Sequence, residues 1–264
     1  MENKFNPAEY WESRLSKTYN LLGVGDITLG EKYNDLIYKV RIHAFNNVLK
    51  KINQNLSDKR ILDVGSGTGF YVKLWKKESP MYLMGSDLTN VAVQNLTNNF
   101  KGINFRQIDI TSDNIGVESN SFDIVSAFDV LFHVVDDIKF EKAISNIHKL
   151  LKPGGIFIYS DNFIHGKTIR VEHQVSRSLD FNNQIMDKIG FKEVLIKPMF
   201  VLMNDPVDSR NKALKFFFHR MTKLIRKWNW FSSFLSVTLY PLELLLIKLK
   251  RESPSTEIRV YVKK

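Results

Sequence analysis

The sequence predicts an α/β fold, a mostly parallel sheet with helices packed on both faces. Three observations carry this. Strand-like and helix-like segments alternate through the middle of the chain. Several strand runs are apolar throughout rather than alternating, as expected of strands covered on both sides. And a turn rich in glycine, ILDVGSGTGF at residues 61–70, follows the first of these strands. Repeated strand-then-helix order implies parallel strands joined by right-handed crossovers.

In chain order, Asn6-Pro7-Ala8-Glu9 reads as a helix start, with a cap, a proline at the first helical position and an acid at the third. Leu36, Val40, Ala44 and Val48 mark the apolar face of a second helix. Strands are expected at Ile61–Val64, Met81–Gly85, Ile103–Ile108, Phe122–Phe128 and Ile156–Ser160, with helices at Asn90–Phe100 and Asp137–Leu151 between some of them. Lys152-Pro153-Gly154-Gly155 reads as a stop between the last of those helices and its strand. Asn182–Ile189 looks helical, and Phe191–Met199 and Thr256–Val262 look like strands. The stretch between these two strands reads as an insertion. The expected organisation is therefore a helical cap over residues 1–55, a core over 56–199, a basic amphipathic insertion over 200–254 and a final core strand over 255–264.

The chain has 264 residues, 44% of them hydrophobic, which suits one domain with a full core and an elaboration. It has no cysteine. That removes disulfides, thiolate zinc sites, iron–sulfur ligation and thiol nucleophiles, and it fits a reducing, cytoplasmic setting. The first eleven residues, MENKFNPAEYW, lack an apolar leader core, so secretion is not expected. Residues 201–264 hold 13 Lys/Arg and 5 Asp/Glu, a net +8 of the chain's +10. A basic surface confined to this stretch points to an anionic partner, or to a solvated face with none.

Where a parallel strand turns sharply into a helix, glycine supplies the backbone angles and lets a ligand approach the main chain. Gly65, Gly67 and Gly69 alternate after Asp63, a spacing unlike the GxGxxG of dinucleotide binders. A second acid, Asp87, ends the next strand, where a carboxylate can accept hydrogen bonds from both hydroxyls of a ribose. A third, Asp109, ends the strand after that. Any one of them serves equally as a helix N-cap. The three together point to one ligand across the carboxyl ends of the sheet.

With "ILDVGSGTG", "GSDLT", "QIDI", "FDIVSAFDVLFHV" and "LLKPGGIFIYSD" in this order, residues 58–199 resemble the class I S-adenosylmethionine-dependent methyltransferases. The resemblance implies a Rossmann-like three-layer sandwich with a seven-stranded sheet and an antiparallel last strand, for which Thr256–Val262 is the candidate. It implies S-adenosyl-L-methionine as cofactor and no metal. Asp63 would help hold the methionine amino group, and Gly65, Ser66, Gly67 and Gly69 would pass beneath the cofactor. Asp87 would bind the ribose, Leu88 would pack on the adenine, Asp109 with its neighbour Ile110 would face the adenine edge, and Phe128 would line the pocket. In related methyltransferases N-terminal helices close over the cofactor, which gives Tyr10 and Arg14 a place in the same set and leaves Trp11, Tyr33 and Arg41 as docking or acceptor-side residues.

Methyl transfer from a sulfonium needs alignment above all, and a hydroxyl acceptor also gains from a base. His133, just past the fourth strand, stands where the resembling family faces its acceptor; it reads as that base or as a structural histidine. Asp136 and Asp137 read as helix caps, and His165 and His173 as weaker candidates. Ala127-Phe128-Asp129-Val130 lacks the Asn/Asp-Pro-Pro-Tyr signature of enzymes that methylate base or glutamine nitrogens. Without cysteine, covalent attack on pyrimidine carbon-5 and radical methylation are closed.

Residues 212–228 form an amphipathic helix pattern, and 228–247 carry one charge, Glu243. Pro241, Glu243 and the serines argue against a membrane span, so 200–254 reads as a lid over the acceptor site or as an element lying in a membrane interface through 212–251. The helical cap, the late insertion and the Ser-Pro-Ser-Thr run bear a loose likeness to methyltransferases of bacterial surface-glycan and polysaccharide pathways. The acceptor expected is accordingly a small molecule, a sugar or a lipid-linked sugar. An RNA methyltransferase using the basic tail is the alternative, and a non-enzymatic cofactor-binding or membrane-docking protein a second.

Overall fold

A computed structural model describes residues 5–264, the side chains of residues 27, 229 and 236 excepted. Residues 1–4 of the stretch expected to lack a leader lie outside the described residues. Two helices come first, α1 (Pro7–Lys17) and α2 (Gly30–Ile52). The alternating core follows as β1 (Arg60–Val64), α3 (Phe70–Lys77), β2 (Tyr82–Asp87), α4 (Asn90–Asn99), β3 (Asn104–Gln107), β4 (Phe122–Phe128), α5 (Asp137–Leu150) and β5 (Leu151–Asp161). A small hairpin, β6 (Ile169–Val171) with β7 (Gln174–Ser176), leads into α6 (Leu179–Ile189) and β8 (Phe191–Pro198). Helices α7 (Lys212–Lys227) and α8 (Asn229–Leu249) precede β9 (Glu257–Lys263).

The main sheet has seven strands in the order β3-β2-β1-β4-β5-β9-β8. Strands β1 to β5 pair in parallel, and β9 lies antiparallel between β5 and β8. The fold is thus the Rossmann-like sandwich with an antiparallel last strand. The chain leaves β3 at one edge and re-enters beside β1 as β4, so strand order reverses between β1 and β4. A crevice opens outside the carboxyl ends at such a switch point. Two apolar clusters fill the two faces, one beneath α2, α3, α4 and α8 and the other beneath α5 and α6.

Local chemistry accounts for most boundaries. Asn6 Oδ1 accepts from Ala8 N at 3.1 Å, and Pro7 opens α1. Asp136 Oδ1 caps α5 through Ile138 N and Lys139 N. The expected stop at Lys152–Gly155 ends the helix but does not delay the strand: β5 begins at Leu151, and its register against β4 shifts between Phe122 and Ile124 to absorb the extra residues. One cap is long-range. Glu12 of α1 accepts from Asn90 N (2.8 Å) and Val91 N (3.1 Å) and so sits at the N-terminus of α4, where the helix dipole favours negative charge.

The stretch before β9 is tied down by its only helical acid. Glu243 of α8 is fully buried and accepts from Val201 N (2.7 Å), Leu202 N (2.8 Å) and Met203 N (3.4 Å). Tyr33 of α2 donates its hydroxyl to Met203 O at 2.7 Å. Three backbone donors therefore depend on one carboxylate. Glu243→Ala is expected to lower stability by about 2–4 kcal/mol, read as a shift in the urea midpoint, with Glu243→Gln falling between.

Candidate functional site

The turn after β1 is built around two carboxylates. Asp63, in the last part of β1, is buried; its Oδ1 accepts from Ser126 Oγ at 2.7 Å and its Oδ2 from Ser66 Oγ at 3.0 Å. Trp75 Nε1 donates to Ser126 Oγ in turn, at 2.9 Å. Burial pushes the Asp63 carboxyl up to about 7 against those serine hydrogen bonds. Asp87, at the end of β2, accepts from Thr89 N and Thr89 Oγ1 on Oδ1 (2.9 and 2.7 Å) and from Gly67 N on Oδ2 (2.8 Å). Its carboxyl is also raised by burial, opposed by these same hydrogen bonds.

Gly65 (φ 70°) and Gly67 (φ 53°) both take left-handed angles. A Cβ on Gly65 would fall 2.3 Å from Val130 Cγ2, so nothing larger fits. Next to them the hydroxyl of Thr68 is buried without a hydrogen-bond partner among the described residues.

One large cavity, about 1120 Å³, opens over this turn. Gly65, Ser66, Gly67, Asp87, Leu88, Asp109, Ile110 and Phe128 border it, which brings most of the expected cofactor set to its lining. Asp109 Oδ1 is shared by Thr111 N (2.8 Å) and Thr111 Oγ1 (2.7 Å), leaving Oδ2 without a donor among the described residues. Phe128 stacks on Tyr71, ring centres 4.0 Å apart.

Four expected residues stand differently. Asp63 lies beneath the turn rather than on the cavity surface. Gly69 is the left-handed start of α3, and its missing Cβ makes room for Phe100 and Leu96. Tyr10 does not border the cavity; its ring stacks on His173 at 5.7 Å. Arg14 does border it, but its guanidinium holds Gly23 O and Gly25 O, both at 2.6 Å, and Tyr10 Oη at 2.9 Å. It fastens the loop after α1 instead of presenting a free cation.

His133 also borders the cavity. Its Nδ1 lies 2.9 Å from His173 O, so the neutral ring carries its proton there and keeps the lone pair on Nε2. Trp11 meets the ring edge-on at 4.8 Å, and burial lowers its pKa to about 4. His173 shares the cavity, whereas His165 lies outside it, bonded through Nδ1 to Asp208 at 2.7 Å. Asp137 pairs with Arg177 and Arg170.

A partly buried ion pair, not apparent from the sequence, also borders the cavity. Asp129, just past β4, pairs with Arg41 of α2, and its left-handed backbone (φ 58°) is held by Ser160: Asp129 N donates to Ser160 Oγ at 2.8 Å. Tyr38, Asn204 and Asp205 border the same cavity, as do Phe218, Thr222 and Arg226 of α7. The cavity exceeds the usual range for a single small ligand, roughly 300–1,000 Å³.

A protein-family model described as a methyltransferase domain matches residues 62–159. Over 174 residues the chain is 29% identical to phosphoethanolamine N-methyltransferase 1 of Triticum aestivum, covering 62% of this chain and 33% of that protein. It is 28% identical over 111 residues to a ubiquinone biosynthesis O-methyltransferase of Neisseria meningitidis, covering 40% of this chain and 45% of that protein. The chain thus spans less than half the length of these curated relatives. Among solved structures, magnesium protoporphyrin IX methyltransferase from Synechocystis PCC 6803 with bound S-adenosylmethionine aligns over 100% of both chains, with a TM-score of 0.59 at 13% identity. Residues 62–159 are a methyltransferase domain, and the fold around them is that of the class I S-adenosylmethionine-dependent methyltransferases.

The raised Asp63 has a measurable signature. A carboxyl raised from 3.8 to about 7 on folding stabilises the folded state below about pH 4, and this contribution is lost as pH rises through about 7. Asp63→Asn is therefore expected to lose less stability than the parent between those limits. Urea midpoints that keep a constant separation across the range would mean that Asp63 ionises normally.

Proposed function

We propose that this chain transfers the methyl group of S-adenosylmethionine to a hydroxyl of a small, hydroxyl-rich acceptor, with sugars and sugar-bearing precursors as the class. The observation that carries the reading is the single cavity of about 1120 Å³, which joins the glycine turn and strand-end acids to His133 and the Arg41–Asp129 end.

The residues fit the cofactor. Asp87 and Asp109 each offer carboxylate lone pairs at or just past the strand ends, Gly65 and Gly67 keep the floor free of side chains, and Thr68 has a buried hydroxyl with no partner among the described residues. In our reading Asp87 takes the ribose hydroxyls, Leu88 and Ile110 flank the adenine, Asp109 faces its edge, and Asp63 acts from below by fixing the turn. When bound, S-adenosylmethionine supplies a methyl group on a positively charged sulfur, open to direct displacement. The protein's own task is then alignment and exclusion of water, which can supply roughly 7–11 kcal/mol of the barrier.

On the acceptor side, His133 stays neutral across the physiological range, because burial has lowered it to about 4. Its Nε2 accepts the hydrogen bond of the incoming hydroxyl and orients the oxygen toward the methyl carbon. A group this weakly basic is not suited to early deprotonation. It takes the proton late, once the forming carbon–oxygen bond has made the hydroxyl strongly acidic. Tyr38, Arg41, Asp129, Asn204 and Asp205 present a polar end suited to further hydroxyls, and α7 walls this side as a lid. A reducing, cytoplasmic setting fits the lack of cysteine.

Two substitutions test the two ends. Asp87→Ala is expected to weaken S-adenosylhomocysteine binding by about 2 kcal/mol, some thirtyfold, in calorimetry on folded protein; unchanged affinity removes its assigned role. His133→Ala is expected to lower turnover by about 10²-fold with cofactor affinity kept. The pH profile of the parent is expected to be flat through neutrality and to fall only near about 4; a fall centred on 6.5 would mean an ordinary histidine acting as base.

A further inference from the structure

The pair α7–α8 carries an apolar face that the fold does not use. Helix α8 is apolar on nearly all sides. One face, with Leu235, Leu239 and Ile247, is buried in the core together with Glu243. On the opposite face Trp230 (62% exposed), Phe234, Val237 (76%), Leu242, Leu245 and Leu249 (69%) follow one another at helical spacing. A helix apolar all round belongs inside a large core or against lipid, and this one lies at the surface. No helix among the described residues is long and apolar enough to cross a membrane.

Charge selects the occupant. Residues 212–251 contain nine Lys/Arg and a single acid, Glu243. Glu243 is turned inward and spent on the backbone of residues 201–203. The charge that this helix pair presents to solvent is therefore entirely positive. The cations flank the apolar face: Lys223 and Lys227 before it, Lys248, Lys250 and Arg251 after it. Between the two helices Trp228 and Trp230 stack at 6.3 Å, and Lys227 lies 4.8 Å from the Trp228 ring centre. Aromatic rings, aliphatic side chains and basic ends on one exposed face match a helix lying in the plane of a membrane interface.

We propose that α7–α8 docks this chain onto an anionic lipid bilayer, with the exposed face of α8 entering the headgroup boundary and the flanking lysines and arginines meeting acidic headgroups. The other side of α7 supplies Phe218, Thr222 and Arg226 to the cavity wall, so docking brings that wall next to the lipid. The inference stands apart from the methyl-transfer reading, since it uses no residue of the glycine turn or the strand-end acids.

The test is flotation of the full chain with vesicles of phosphatidylglycerol and phosphatidylcholine in equal parts, against vesicles of phosphatidylcholine alone. The parent is expected to float with the anionic vesicles only, with a blue shift of tryptophan emission, and to be released as salt is raised. The double variant Trp230→Glu/Val237→Glu changes two exposed side chains and should keep the melting temperature and the S-adenosylhomocysteine affinity of the parent. Its vesicle association is expected to fall by at least about tenfold. The proposal is overturned if the parent ignores anionic vesicles, or if the double variant floats as the parent does. It is equally overturned if the face proves to bind a single-stranded RNA or a second copy of the chain while vesicles have no effect.

Discussion

The hydrogen bond from Gly67 N to Asp87 Oδ2 joins the turn after β1 to the end of β2, and the upper rim of the sheet takes its shape from it. A glycine turn left to itself would sample many conformations, because glycine loses more freedom on folding than any other residue. Here the turn is held from two sides. Asp87 grips it from the neighbouring strand, and Asp63 grips it from below through Ser66, while Ser126 ties Asp63 to β4. Both acids are raised by burial. The anchoring carboxylates thus stand in a poorly solvated setting, where a ligand's hydrogen bonds and positive charge count for more than in water.

The cavity walls come from distant parts of the chain, and few of their partnerships are local. Arg41 of α2 meets Asp129 beyond β4, and His133 answers to His173 and Trp11. Arg14 fastens the loop that carries Gly23 and Gly25, and Arg226 of α7 reaches Thr28 Oγ1 at 3.0 Å. Segments from both halves of the chain must therefore settle on the sheet before the cavity exists. The Arg41–Asp129 pair is partly withdrawn from water, a cost that good geometry and added hydrogen bonds offset. Ser160 supplies such a bond by donating to Asp129 Oδ1 at 3.1 Å.

What the sequence disclosed follows a physical division. Strand order, the glycine turn, the acids at the strand ends and the caps at Asn6 and Asp136 are short-range signals, and most lie within a residue or two of where they were expected. The antiparallel strand Glu257–Lys263 was legible as a β-rich run, and its place in the sheet through the family resemblance. Glu12 capping α4, Glu243 gathering the amides of residues 201–203, and Arg41 pairing with Asp129 were not legible, because each joins residues scores of positions apart with no periodic trace. Tyr10 and Arg14 were named for the right region, but their side chains hold the N-terminal segment together. Gly69 was named for its motif, and its missing Cβ serves helix packing.

Placing β9 between β5 and β8 has a consequence for biosynthesis. Until residues 257–263 have been made, β8 has no neighbour with which to share its main-chain hydrogen bonds, and β5 has an open flank. The two greasy helices that precede β9 leave the ribosome during that interval, while the sheet is still incomplete. Their apolar surface must therefore be sheltered before the sheet is closed, by folding back, by chaperone or by whatever surface lies nearest.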